Sequence, residues 1–236
     1  MDVRWVSGAG LEAKPTNEVS SLLARSDGFA WVDVPQPDEA ADALADALGV
    51  PPAVMRGLAE RTMVPKVSSH DGYVVLILHS LDAEGHLLQL GQIVGRNFLV
   101  TVHGPLTPGV PLELAQAETD EVASRIATSD LQPKTPADVS AAIADSLAES
   151  LEGMLASAAA RAGKLDRRLR QGEMGEPEKF LDDLFSVRHE LLTIANRASQ
   201  TREACGTIAA VASAALGDQG RTFAALRDRF DRLRSL

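Results

Sequence analysis

From Val139 to Leu169 an apolar side chain returns every three or four residues, at Ile143, Leu147, Leu151, Met154, Ala158, Ala162 and Leu165. Only the 3.6-residue turn keeps such a stripe on one face, so the segment reads as a single helix of roughly 45 Å. Gly172 to Pro177 breaks it. A second period, with Leu181, Leu184, Leu191, Ala195, Ala198, Cys205, Ile208 and Ala212 read as inward, carries another long helix from about Pro177 to Leu216. Two long helices joined by a tight turn predict an antiparallel hairpin. After Gly217 to Gly220 a third helix begins, in which Phe223, Leu226, Phe230 and Leu233 recur at three, four and three. That is the heptad spacing of a helix that meets another helix. No Gly, Asn or Pro stops it before Leu236, so it reads as cut.

The first half has a different rhythm. An edge strand is expected near Val3 to Val6 and a short helix around Glu18 to Arg25. Trp31-Val32-Asp33-Val34 is a strand that Pro35 and Pro37 terminate. Asp38 is placed to cap a helix that runs to Leu48, with Ala40, Leu44 and Leu48 on one face. Gly49 ends it, and Pro51-Pro52 open the next helix, where proline is tolerated in the first turn. Tyr73 to Leu81, Leu88 to Val94 and Asn97 to His103 are apolar strands. They are joined by the turn-forming Asp82-Ala83-Glu84-Gly85 and Gly95-Arg96. Short connections favour antiparallel pairing with helices on a face. The fold class is therefore α+β: a mostly antiparallel sheet covered by helices over 1–110, a helical layer and long hairpin over 111–218, and a partial stalk helix over 219–236. The proline-rich segment from Gly104 to Pro111 marks the first boundary.

Charge and composition exclude several functions. A net charge of −10 argues against nucleic acid, whose phosphates demand clustered Lys and Arg. The longest apolar run is about six residues, where a bilayer span takes about 20. Met1-Asp2-Val3-Arg4 does not open a signal peptide. The single Cys205 lies on an inward stripe and reads as a small core residue. Ser7-Gly8-Ala9-Gly10 lacks the Gly-Lys-Ser/Thr of a phosphate loop. Asp33 after Trp31 is open to reading as a catalytic carboxylate, and a strand-end Asp capping the following turn explains it equally well. The five histidines, His70, His79, His86, His103 and His189, show no zinc-ligand spacing. No acid/base pair or nucleophile set can be assembled, so an enzyme is not expected.

Taken in order, Phe29-Ala30-Trp31-Val32-Asp33-Val34-Pro35, Gly49-Val50-Pro51-Pro52, Val64-Pro65-Lys66-Val67, Gly72-Tyr73-Val74-Val75-Leu76-Ile77-Leu78 and Gly95-Arg96-Asn97-Phe98-Leu99-Val100-Thr101-Val102-His103 resemble the amino-terminal cytosolic domain of the CorA family of magnesium transporters. The helical hairpin and unfinished heptad helix extend that resemblance over nearly the whole chain. It implies a cytosolic regulatory domain on the inner face of the cell membrane, in a homo-oligomer of five around a pore gated by divalent cations. It also implies membrane contact only through segments missing from this chain, since the Gly-Met-Asn signature of the family's first span is absent. A free-standing soluble relative that works as an interaction or regulatory module is the competing expectation, and a zinc-transporting sister branch another.

The resemblance places regulatory magnesium between protomers, on one carboxylate from the α/β domain and one from the stalk. The stalk acid falls on Asp228. The other falls on Gly57, preceded by Arg56, and neither side chain ligates magnesium. The inter-protomer site that the resemblance implies is therefore missing, shifted to Glu60 or Asp231 beside Asp228, or replaced, and magnesium sensing is expected to be weak or differently placed. Arg227, Arg229, Arg232 and Arg234 surround the two aspartates, so ordinary ion pairs on a solvated face compete with a metal role. The stripe of Phe223, Leu226, Phe230 and Leu233 is the expected oligomer interface, unless it packs on its own domain.

Overall fold

A computed structural model describes residues 1–36, 39–173 and 175–234, without the side chains of residues 39, 40, 42, 227, 233 and 234. The expected cap at Asp38 and the stop at Pro37 lie outside the described residues. The chain opens with β1 (Asp2–Ser7) and β2 (Gly10–Lys14), then the short α1 (Val19–Leu23) and β3 (Gly28–Val34). Helices α2 (Glu39–Leu48) and α3 (Pro52–Ala59) follow, then β4 (Lys66–His70), β5 (Tyr73–Leu81), β6 (Leu87–Gly95) and β7 (Phe98–His103). The rest is helical: α4 (Leu112–Ala115), α5 (Ala117–Ala127), α6 (Pro136–Arg170), α7 (Pro177–Leu216) and α8 (Ala224–Arg234).

The strands form one sheet in the order β2-β1-β3-β7-β6-β5-β4. Each neighbouring pair is antiparallel except β3 and β7, which run parallel with Trp31 opposite Leu99. The first strand is not the edge expected from the sequence, because β2 pairs outside it through the two-residue turn Gly8-Ala9. Both true edges, β2 and β4, are short and carry no buried residue, which limits pairing with foreign strands.

Alternation along the strands divides the core into two layers. On β5, Tyr73, Val75 and Ile77 face one way, with Met55 and Leu58 of α3 and Leu44 of α2. Val74, Leu76 and Leu78 face the other way, with Val122 of α5, Leu147 of α6 and Ile208 of α7. Helix α6 begins three residues before its apolar stripe because Thr135-Pro136-Ala137-Asp138 is a capping box. Thr135 accepts from the Asp138 amide, and the Asp138 carboxylate accepts from the Thr135 amide at 3.0 Å.

The stripe on α7 follows expectation at Ala198, Cys205, Ile208 and Ala212, which are buried, and departs from it toward the tip, where Phe180, Val187 and Ile194 are buried and Leu181, Leu184 and Ala195 are exposed. The stripe on α6 follows the sequence down to Leu165, and Leu169 then stands in solvent. Gly217 takes a positive φ of 64° and ends α7, and a 3-10 turn from Gly217 to Phe223 folds the chain back. Gly220 fits there because a Cβ would meet the Ala212 carbonyl carbon at 2.4 Å. Helix α8 then lies along α7 and α6, and Arg202 of α7 meets Asp231 of α8 at 3.5 Å.

Candidate functional site

The carboxylates expected as metal ligands do not converge within one chain. Glu60 follows α3 on one layer of the sheet, while Asp228 and Asp231 sit on α8 in the opposite layer. Glu60 is exposed, and its backbone is pinned by Gln89 of β6. The Gln89 amide donates to the Leu58 carbonyl at 2.9 Å and the Glu60 carbonyl at 3.0 Å, and its oxygen accepts from the Thr62 amide at 2.8 Å. Asp228 is exposed, and Asp231 is half-buried in its pair with Arg202. Gly57 faces open space, and Arg56 beside it offers no oxygen.

The expected oligomer stripe is a correction. Phe223, Leu226 and Phe230 are 1%, 6% and 0% exposed, packed in this chain's own core with Leu76, Ala144, Cys205 and Ile208. A heptad pattern says that a helix has a partner, not which chain supplies it. Here the partners are α6 and α7 of the same chain. The Leu233 side chain lies outside the described residues.

Three polar groupings went unread in the sequence. The first is buried where β3 and β7 run side by side. Asp33, fully buried, accepts from the Thr101 hydroxyl, from His103 Nε2 at 2.8 Å and from the Gln116 amide at 3.1 Å. His103 Nδ1 donates to the Ala115 carbonyl at 2.8 Å, so the ring gives a hydrogen bond at each end. Burial works to raise the Asp33 carboxyl, but His103, Thr101 and Gln116 outweigh it and hold the group below its usual range. Asp33 is thus an anchor joining two strands to α4 and α5, and not a turn cap. Glu118 nearby is pushed up by burial, partly offset by hydrogen bonding that includes Ser80.

The second grouping is the β5–β6 loop. Asp82 Oδ1 accepts from the Glu84 and His86 amides at 3.0 and 2.7 Å, and Oδ2 meets His86 Nδ1 at 2.8 Å. Ligand atoms of Asp82, Glu84 and His86 lie within 4.8 Å of one another. The alternation Asp-x-Glu-x-His was the available signal.

The third lies between α8 and α6. Arg229 Nε stands 2.7 Å from Asp145 Oδ1, out of line for a hydrogen bond. Its Nη2 donates to Glu149 Oε1 at 3.3 Å and lies 3.5 Å from Glu152 Oε2. His79 and Cys205 are core groups. Burial, helped by the Arg197 charge, lowers His79 to about 4, and burial pushes the Cys205 thiol up to about 12.

No described helix is long and apolar enough to cross a membrane. Solved structures share this fold over the whole chain. The full-length CmaX protein superposes with a TM-score of 0.76 at 14% identity, covering 100% of this chain and 71% of that one. The ZntB cytoplasmic domain of Vibrio parahaemolyticus gives 0.74 at 12% identity, covering 100% and 89%. The soluble domain of CorA from Methanocaldococcus jannaschii gives 0.65 at 13% identity, covering 99% and 92%. The architecture is therefore that of a CorA-type soluble domain. Residues 26–235 match the model of the CorA-like Mg2+ transporter protein family, and the chain belongs to that family. A curated relative, the putative metal ion transporter YfjQ of Bacillus subtilis, is 26% identical over 169 residues. That match takes in 69% of this chain and 48% of the relative, so the chain spans about half the relative's length.

Proposed function

We propose that this chain is the cytosolic regulatory part of a divalent-cation transporter, sensing the cation and gating the pore within a homo-oligomer. The observation that carries the reading is coverage. The whole chain superposes on the ZntB cytoplasmic domain and takes in most of that domain's own length. Mg2+ prefers six oxygens in near-octahedral array, with several of them water. A single protomer brings no such set together from Glu60, Asp228 and Asp231, since they occupy opposite layers. The exposed Asp228 carboxylate of one copy and Glu60 of the next are free to meet only across an interface. An ion bridging two copies stabilises the assembled arrangement alone. At ten times its dissociation constant each site contributes about 1.4 kcal/mol, so five contribute about 7. That suffices to bias a gate and vanishes when the cation falls.

The test is sedimentation of the chain across a MgCl2 titration, beside calorimetric Mg2+ binding. Magnesium-dependent association that Asp228→Ala abolishes is the expected result. A chain that neither binds nor associates at 20 mM MgCl2, a concentration on the order of ten times a weak millimolar site, speaks for an interaction module that does not sense the ion.

A further inference from the structure

Helix α8 is attached in two ways. Phe223, Leu226 and Phe230 bury apolar surface against α6 and α7. The second attachment is charge, and it is lopsided. Asp145, Glu149 and Glu152 stand at i, i+4 and i+7 on α6, so their carboxylates share one face and repel one another when unpaired. Among the described residues, the Arg229 guanidinium is the positive group in ion-pair range of the three, at 2.7, 3.3 and 3.5 Å. One cation against three anions leaves a formal surplus of two negative charges. Arg229 is 22% exposed, screened less than an open surface pair yet still within reach of solvent ions. Arg202 with Asp231, and Thr222 donating to Asp138 at 2.9 Å, add to the polar attachment without adding charge to the trio.

We propose that Arg229 is an electrostatic latch. It neutralises the repulsion along α6 only while α8 is docked, so withdrawing or neutralising this one charge releases α8 while the sheet and hairpin stay folded. The latch needs no bound cation, although Asp228 rides on the same helix, and it makes the attachment of α8 responsive to an anion that competes for Arg229.

Amide hydrogen exchange of the full chain at about 20 mM NaCl, where the Debye length exceeds 20 Å, is the test. Arg229→Gln is expected to speed exchange over residues 224–234 about tenfold or more, leaving β5 and β6 protected. Raising NaCl to about 0.5 M is expected to shift the parent in the same direction. In the triple background D145N/E149Q/E152Q the further change to R229Q is expected to have almost no effect, because the latch has nothing to hold. Unchanged α8 exchange in R229Q overturns the proposal. So does an equal loss in the neutral background, which would assign Arg229 to stem packing instead. If R229Q fails to fold by far-UV circular dichroism, R229K decides the matter. Exchange between parent and released values supports charge as the agent, and full release at retained charge overturns it.

Discussion

The base and the tip of the α6–α7 hairpin are the same two helices in different surroundings. At the base, Leu147, Leu151, Ile194, Ala198, Cys205 and Ile208 are enclosed between the sheet and α8. At the tip, among the described residues, the two helices pack on each other, and Leu165, Phe180 and Val187 make a separate small cluster. There Leu169, Leu181, Leu184, Phe185 and Leu192 stand about half exposed. Along α7, Phe180, Val187 and Ile194 repeat every seven residues, and so do Leu184 with Leu191 and Phe185 with Leu192. One helix therefore carries two apolar seams of the same period, side by side. A pair of helices buries one seam, and a third layer is needed to bury the second. Periodicity identifies the helix, and the neighbours decide which seam is inside.

Three measurements would break or sharpen that contrast. The largest effect is expected from Leu147→Ala at the base, about 3–4 kcal/mol of stability, because the fully buried site cannot collapse around the void. Urea unfolding measures it, and a loss below about 1 kcal/mol would mean that the base is as loosely packed as the tip. The second concerns the polar side of the base, where α7 reaches the sheet edge through Arg197, donating to the Met63 carbonyl at 2.8 Å. Close by, His79 Nε2 donates to the Thr62 carbonyl at 2.8 Å, and burial lowers its pKa from 6.5 to about 4. A depressed histidine pKa means that the unfolded chain binds the proton first. Stability is then complete above pH 6.5 and falls as pH drops toward 4, by about 2.5 kcal/mol between pH 7.5 and 4.5. Unfolding of the parent and His79→Gln at both pH values isolates this contribution, which the variant should lack. The smallest effect belongs to the tip: Phe185→Ser, at a side chain 58% exposed, should change stability by less than about 0.5 kcal/mol. A larger loss would show that a partner covers the outer seam under the conditions of measurement.

The sequence made the two long helices, their break at Gly172 and Gly217, and the strands β5 to β7 legible, because each rests on local punctuation or an unmistakable period. Strands β2 and β4 escaped notice for a physical reason. Gly-Leu-Glu-Ala-Lys and Lys-Val-Ser-Ser-His lie on the sheet edges, bury little, and so carry no alternation to read. The start of α6 is encoded in the capping box Thr135-Pro136-Ala137-Asp138, which carries no apolar period and lies outside the stripe. Site chemistry was less legible still. Asp33 finds His103 70 residues away, and Arg229 finds Glu149 80 residues away. No local spacing encodes such meetings. The heptad in α8 was visible, but burial of Phe223 and Phe230 in their own chain depends on the reversal at Gly217 to Gly220 and the close fit of Gly220.

The parallel pairing of β3 with β7 carries a kinetic consequence. Strands β1, β2 and β3 form one antiparallel unit, in which β1 and β2 are a hairpin and β3 returns past α1 to pair with the other side of β1. Strands β4 to β7 form a second, entirely from consecutive hairpins. The two meet only where Ala30 to Val34 lies beside Phe98 to Val102. The longest-range closure of the sheet is thus this one junction, while each half assembles from pairings nearer in sequence. Folding is expected to zip each half quickly and then wait for them to find one another. Asp33 and His103, buried on that junction, close it only once both halves are present.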